Sequence, residues 1–291
     1  MTIRPRRSVL YMPGSNARAL EKARTIPADT LILDLEDAVA PEAKELARRQ
    51  VCDAVRSKAY GGRELLIRVN GLGTPWFADD VQAAVAAGPD AIVLPKASSA
   101  ADIGHLTLAL AQAGAPQAGA LKALGVWAMI ETPRGVLNAA EIASAGPACL
   151  IVGLNDLFKE THAEPDANRT AAQYWLSHIV TVARAYGLDV LDSAYNNFRD
   201  TDGFRRECLQ GRMLGFDGKT LIHPDQVAAA NEVFAPPVAE VEWARKIIAA
   251  FSRPENRGKG VIDLEGRMVE LLHREMAKRT VAIADAIAAR G

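Results

Sequence analysis

Two acidic residues, Glu131 and Asp156, each follow a short apolar run, at 124–130 and 149–152. They are one strand–helix step apart, so where parallel strands converge on one opening their carboxylates stand side by side. No His or Cys ligand accompanies them. Two oxygen donors of this kind suit a hard cation, Mg2+ foremost, which keeps open positions for water and substrate oxygens. A competing reading gives both residues local work, with Asp156 capping a short helix and Glu131 pairing with Arg134 at the surface.

Other polar groups fall at equivalent places. Arg68 closes the apolar run 64–69, where its planar fork can take a carboxylate, a developing enolate oxygen, or an acid of the preceding run. Asp34, Glu36 and Asp37 crowd one turn after residues 30–33, and three acids so close repel unless a cation offsets them. Glu36 and Asp37 suit hydrogen bonds to metal-bound water, or simply an acidic helix start ahead of Pro41. Lys96 follows residues 91–94 and offers the main rival chemistry, a Schiff base. Asp192-Ser193 and Phe216-Asp217-Gly218-Lys219 end the last two runs, and His223 lies beyond them with a loop-fixing hydrogen bond as its expected work. Charged groups at so many apolar run ends are costly in a core and belong at a solvated, ligand-binding opening.

The elements that must place these groups are readable. Apolar runs at 8–12, 30–33, 64–69, 91–94, 124–130, 149–152, 188–191 and 212–215 alternate poorly between apolar and polar, as parallel strands covered on both faces do. Amphipathic stretches at 17–24, 42–57, 77–87, 100–113, 135–144, 167–186, 202–210 and 225–234 separate or follow them, and Pro41, Pro133 and Pro224 sit at first helical turns. Eight strands each followed by a helix predict a (β/α)8 TIM barrel over residues 1–235. Past Pro236-Pro237 the rhythm changes to a helix at 238–251, a polar loop at 252–260 and a helical stretch at 266–289. Residues 236–291 therefore read as a C-terminal helical arm or lid.

Composition excludes several classes. The 291 residues are 49% hydrophobic and 24% charged, with net charge −1, so no global field recruits nucleic acid or an anionic membrane. Any phosphate must be held by local groups. No apolar h-region follows Arg4, Arg6 and Arg7, and no run approaches membrane-spanning length. Cys52, Cys149 and Cys208 are isolated, which argues for buried thiols in a reducing cytoplasm. Gly71-Leu72-Gly73 meets Trp76 where a dinucleotide fingerprint needs its third glycine, and no Walker A, G-x-S-x-G or H-E-x-x-H motif occurs.

Seven segments in order resemble the citrate lyase β-subunit-like family of the HpcH/HpaI aldolase group, which includes malyl-CoA and citramalyl-CoA lyases. They are Arg7-Ser8-Val9-Leu10-Tyr11-Met12-Pro13-Gly14-Ser15, Leu33-Asp34-Leu35-Glu36-Asp37-Ala38-Val39, Arg68-Val69-Asn70, Leu94-Pro95-Lys96, Ile130-Glu131-Thr132, Gly153-Leu154-Asn155-Asp156, and Gly215-Phe216-Asp217-Gly218-Lys219 through Ile222-His223-Pro224. The resemblance implies a barrel, Mg2+ on Glu131 and Asp156, Arg68 at the substrate oxyanion, and Arg18 and Lys22 near coenzyme A phosphates. It also implies a homotrimer or dimer of trimers whose arm covers a neighbour's opening. The family's arm carries an Asp that acts as acid/base there; this chain has Glu270, without the nearby Pro.

The implied activity is Mg2+-dependent cleavage of a β-hydroxyacyl-CoA, of citryl, malyl or citramalyl type, into an acyl-CoA and a 2-oxo acid. Arg68 would hold the enolate and Glu270 would reprotonate its carbon. The alternatives are a coenzyme A-independent class II aldolase for a hydroxy-oxo acid, and a catalytically silent paralogue that binds acyl-CoA.

Overall fold

The computed structural model describes residues 4–116 and 124–290. They divide into two compact units, Arg6–Asn231 and the described residues of Met1–Pro5 with Glu232–Gly291.

The first unit is a closed barrel of eight parallel strands in sequential order. These are β1 (Ser8–Pro13), β2 (Thr30–Asp34), β3 (Glu64–Arg68), β4 (Ala91–Leu94), β5 (Gly125–Ile130), β6 (Cys149–Val152), β7 (Asp189–Asp192) and β8 (Gly218–Leu221). Strand alternation sends every second residue inward. Val9, Ile32, Leu66, Val93, Trp127, Ile151 and Leu191 pack together there. The next inward positions along the same strands are Tyr11, Asp34, Arg68, Met129 and Ser193, so the interior changes from apolar to polar toward the carboxyl ends. At the opposite end Arg6 lies 4.7 Å over the Trp127 ring and pairs with Glu64 and Asp189.

The helices of this unit are α1 (Ala17–Ala23), α2 (Lys44–Arg56), α3 (Phe77–Ala87), α4 (Ala100–Gln112), α5 (Pro133–Leu137), α6 (Ala139–Ser144), α7 (Leu154–Thr161), α8 (Gln173–Ala185) and α9 (Thr201–Leu214); α10 (Val227–Val233) begins in it and ends past Asn231. The expected elements are present with one serious error. Residues 212–215, read as the eighth strand, are the last turn of α9, which Gly215 terminates at φ 101. The true strand starts at Gly218 and carries Lys219, whose charge disguised it. Phe216-Asp217-Gly218-Lys219 is consequently the entry to β8, not its exit.

Lys219 lies opposite Asp192 in register, both pointing outward. It reaches Asp192 Oδ2 at 3.1 Å and Glu207 Oε1 on α9 at 2.6 Å, while Arg169 Nη1 holds both Asp192 oxygens at 2.7 and 2.9 Å. Lys219 and Asp192 are fully buried. Burial alone would raise the Asp192 carboxyl, but the two cations outweigh it and hold it below the usual carboxylate range.

The second unit contains α11 (Val238–Ser252), an antiparallel hairpin of β9 (Val261–Leu264) and β10 (Arg267–Glu270), and α12 (Leu271–Ala288). Ile247, Phe251, Ile262, Val269 and Ala277 form its core. The hairpin corrects the expected helix from 266. Its two turn residues, Glu265 and Gly266, both have positive φ (53 and 77), the two-residue turn that matches strand twist, and Glu does not advertise that conformation. Among the described residues, no helix is long and apolar enough to cross a membrane.

Asp192→Ala would strand Arg169 and much of the Lys219 charge inside the barrel wall. The expected cost is about 3–5 kcal/mol, read as a lower urea midpoint at unchanged slope. A loss below about 1 kcal/mol would show that the cluster contributes little to stability.

Candidate active site at the barrel mouth

A cavity of about 300 Å³ opens at the carboxyl ends of the strands. Tyr11, Asp34, Arg68, Met129, Glu131, Gly153, Asp156, Ser193, Thr220 and Ile222 line it, drawn from seven strand ends. That volume is at the small end for ligand pockets, right for a short acid and too small for a nucleotide.

Asp34 and Arg68 are register neighbours on β2 and β3, both facing inward. Arg68 donates from Nε to Asp34 Oδ1 at 2.6 Å and from Nη2 to Oδ2 at 2.7 Å. The same two oxygens accept the backbone N–H groups of Glu36 and Ala38, each at 3.0 Å. Asp34 is thus saturated and has no lone pair left for a cation. Burial raises its carboxyl, yet the Arg68 charge and hydrogen bonds prevail and lower it. Arg68 Nη1 lies 2.9 Å from Glu36 Oε2, close enough for attraction but without hydrogen-bond geometry, since that oxygen has no hydrogen-bond partner. The Arg68 fork is therefore fixed by β2 and still lines the cavity, Nη1 also donating to Met129 Sδ at 3.8 Å and one Nη2 N–H remaining. Tyr11, its ring 4.7 Å beneath the guanidinium, stacks against it.

Lys96 closes the other side of this cluster. Its Nζ donates to Glu36 Oε1 at 2.9 Å and lies 3.8 Å from Asp37. Burial would lower the ammonium, but the Glu36 hydrogen bond and charge raise it further. This ion pair favours the charged amine, which disfavours the Schiff-base rival. The Lys96 backbone, at φ 53, turns its N–H to Glu131 Oε1 at 2.8 Å.

Glu131 is almost wholly buried and accepts no hydrogen bond at Oε2 among the described residues. Burial first, and then the Glu36 charge, push its carboxyl up to about 8. Gly153 lies against it: a Cβ there would come within 2.5 Å of Glu131 Cβ and Oε2, so only glycine leaves the carboxylate room. Asp156, half-buried, is in the first turn of α7, not at a bare strand end, and has no hydrogen-bond partner among the described residues. The N-cap role for Asp156 and the Arg134 pair for Glu131 are both absent from the observed contacts. Among the described residues no three His, Cys, Asp or Glu side chains form a cage. The donor set is two open carboxylates on one cavity, which fits an octahedral hard cation completed by water and ligand oxygens.

The remaining expected residues are scattered. Glu36 is buried in the cluster just described, and burial raises its carboxyl against Arg68 and Lys96. Asp37 lines the cavity and is exposed. Arg18 and Lys22 are exposed on α1, one turn apart, outside the cavity lining. Glu270 belongs to the second unit, where its side chain caps α12 and its N–H donates to His273 Nδ1 at 2.9 Å. His223 does fix its loop, through Asp225 N at 3.2 Å.

Sequence reasoning missed Lys44. Its buried ammonium donates to Leu35 O, Glu36 O and Asn70 Oδ1 at 2.7, 2.8 and 2.6 Å, tying the acidic turn to the end of β3. A Lys on a helix reads as solvated, and no pattern marks this one as buried. Tyr11 was legible, two residues beyond inward Val9, but was not singled out.

The pattern of the HpcH/HpaI aldolase/citrate lyase family matches residues 7–224. The chain belongs to this family. It is thereby placed among carbon–carbon lyases of the citrate lyase β-subunit-like kind. A protein of Cereibacter sphaeroides named (3S)-malyl-CoA thioesterase is 48% identical over 287 residues, covering 98% of this chain and 96% of that one. The citrate lyase subunit beta of Escherichia coli is 34% identical over 272 residues, covering 92% and 89%. The crystal structure of CitE from Mycobacterium tuberculosis, in complex with magnesium, acetoacetate and coenzyme A, superposes with TM-score 0.76 at 29% identity, covering 97% of this chain and 98% of that one.

The Glu131 environment predicts a pH effect in this lyase-family barrel. An acid raised from 4.5 to about 8 on folding binds more protons in the native than in the unfolded state across that window. Its contribution therefore lowers stability as pH rises, by about 1.4 kcal/mol per pH unit at most. In EDTA, Glu131→Gln should flatten the fall in Tm between pH 5 and 9 relative to the parent, because Gln keeps the Lys96 hydrogen bond and loses the charge. Parallel Tm profiles would show that burial of this carboxyl costs nothing.

Proposed function

We propose that the protein is a Mg2+-dependent lyase cleaving a β-hydroxyacyl-CoA of malyl, citramalyl or citryl type into an acyl-CoA and a 2-oxo acid. One observation carries the reading: the open carboxylates of Glu131 and Asp156 share a small cavity with an arginine pre-aimed by Asp34. Mg2+ held by Glu131 and Asp156 would supply Lewis acidity to the hydroxyl and carboxylate oxygens of the acid half. The crystal structure of a relative with magnesium and oxaloacetate, TM-score 0.68 at 30% identity, supports this choice of cation.

The hydroxyl gives up its proton to solvent as its C–O bond becomes the 2-oxo carbonyl, and the C–C bond breaks with its electron pair left on the thioester side, as an enolate. The Arg68 guanidinium stabilises the enolate oxygen, and its alignment costs nothing at the moment of reaction because Asp34 and Tyr11 already hold the fork. Glu36 and Asp37 would accept hydrogen bonds from water around a bound cation. Glu270, delivered by the second unit of a neighbouring subunit in a homotrimer or dimer of trimers, returns a proton to the enolate carbon. The cavity admits the acid half and the thioester carbonyl, so the coenzyme A phosphates lie outside it, where exposed Arg18 and Lys22 receive them. Three buried, unpaired thiols agree with a cytoplasmic location.

A second reading, hydrolysis of the thioester to a free hydroxy diacid and coenzyme A, is favoured by the name of the relatives near 48% identity. Incubation with Mg2+ and a panel of β-hydroxyacyl-CoA thioesters separates the two. Cleavage releases a 2-oxo acid and no thiol; hydrolysis releases thiol and no 2-oxo acid. Arg68→Lys should lower kcat for cleavage by about 10²–10³ with the barrel still folded, and an unchanged kcat would reduce Arg68 to a structural role. Arg18→Ala combined with Lys22→Ala should weaken coenzyme A thioester binding and make what remains less sensitive to salt. Wild-type protein that binds no coenzyme A by calorimetry, yet splits a free hydroxy-oxo acid, would establish the class II aldolase instead.

A further inference from the structure

The helix that presents Asp156 cannot start by its own means. Its N-cap is Gly153, which has no side chain to offer, and Glu131 forbids one, since a Cβ at 153 would sit 2.5 Å from the Glu131 Oε2 oxygen. An acid at the third helical position often reaches back to the N-cap amide, closing a capping box. Here the Gly153 amide is already spent on Ile130 O at 3.1 Å, which leaves Asp156 free to face the cavity. The first turn of α7 then depends on groups from elsewhere.

They come from the loop after β7. Ser193 Oγ accepts the Leu154 N–H at 2.9 Å, a cap supplied from 39 residues away. One turn position further, Asn155 and Asn196 exchange side-chain hydrogen bonds at 2.8 and 3.3 Å. The loop is itself anchored. Ser193 N donates to Asp192 Oδ1 at 2.8 Å, and Gln226 Nε2 donates to Tyr195 O at 2.9 Å. Asp192 is the carboxylate clamped by Arg169 and Lys219 in the barrel wall. A continuous run of contacts thus leads from a buried charge cluster, through Ser193, to the start of the helix bearing Asp156.

We propose that Ser193, assisted by Asn196, is a positioning residue for cation binding: it caps α7 from the β7 loop and thereby holds Asp156 in place relative to Glu131. The proposal rests on the reading of Glu131 and Asp156 as cation ligands. Glu131 is set by β5 and the Lys96 amide, whereas Asp156 is set from β7, so loss of the cap frees only one arm of the grip. Groups that orient metal ligands without touching the metal commonly contribute 10–100-fold in affinity.

The test is calorimetric titration of the full chain with Mg2+ alone, beside amide hydrogen exchange in EDTA. Ser193→Ala should weaken Mg2+ binding by about 10-fold or more and speed exchange at the amides of residues 154–157, with the strand amides of the barrel still protected. Ser193→Thr keeps a hydroxyl and should recover most of the affinity. Asn196→Ala, at an exposed position, should give a smaller loss in the same direction. Undiminished Mg2+ affinity in Ser193→Ala would overturn the positioning role, as would an affinity loss accompanied by deprotection of the whole barrel. If the wild type takes up no Mg2+, the cation reading fails and the proposal with it. Uptake by the wild type with no change in the variants overturns the positioning role alone.

Discussion

The pairing of Asp34 with Arg68 organises the mouth of this barrel. Two opposite charges taken out of water lose several kcal/mol of hydration each, and the loss is offset only when geometry is good and the remaining lone pairs are filled. Here they are filled: the guanidinium meets both carboxylate oxygens, and two backbone amides from the following turn complete them. Those amides belong to the acidic turn itself, so the pair also shapes the backbone that carries Glu36. Glu36 in turn holds Lys96, and the Lys96 amide holds Glu131. A substitution at Asp34 would therefore loosen residues on β2, β3, β4 and β5 together.

Beyond that cluster the site is electrostatically unfinished. Among the described residues Glu131 Oε2 accepts no hydrogen bond, and Glu36 Oε2 accepts none although Arg68 Nη1 lies 2.9 Å away; both side chains are nearly buried. A buried carboxylate oxygen left without a hydrogen bond lowers stability, and carboxylates perturbed in this way concentrate at ligand-binding sites. The same economy explains Gly153, where the room left for one carboxylate removes the local cap of the helix bearing the other.

Alternation along β7 and β8 separates support from chemistry by a single residue. Asp192 and Lys219 point outward into the layer beneath α9, while Ser193 and Thr220 point inward to the cavity. Thr220 donates to Asp192 O at 3.0 Å, and Ser193 takes its orientation from the Asp192 side chain. A charge cluster sealed in the wall can thus stiffen the cavity without adding charge to it.

The amino-acid sequence by itself determined the barrel, the order of its first seven strands, and the convergence of Glu131, Asp156 and Arg68 on one cavity. Those features follow from hydrophobic runs, helix-start prolines and the fact that parallel strand ends share a face, all of which are local or periodic. What it left undecided depended on partners remote in the chain. Strand β8 was displaced because Lys219 reads as polar until Asp192 and Glu207 neutralise it. Lys44 reads as a surface residue until three oxygens from two loops surround it. Arg68 was open between binding a ligand and pairing with an acid; only the register of β2 with β3 shows that the pair with Asp34 is what aims the fork. Charge burial is a pairwise quantity, and one chain position says nothing of its partner until the fold brings the two together.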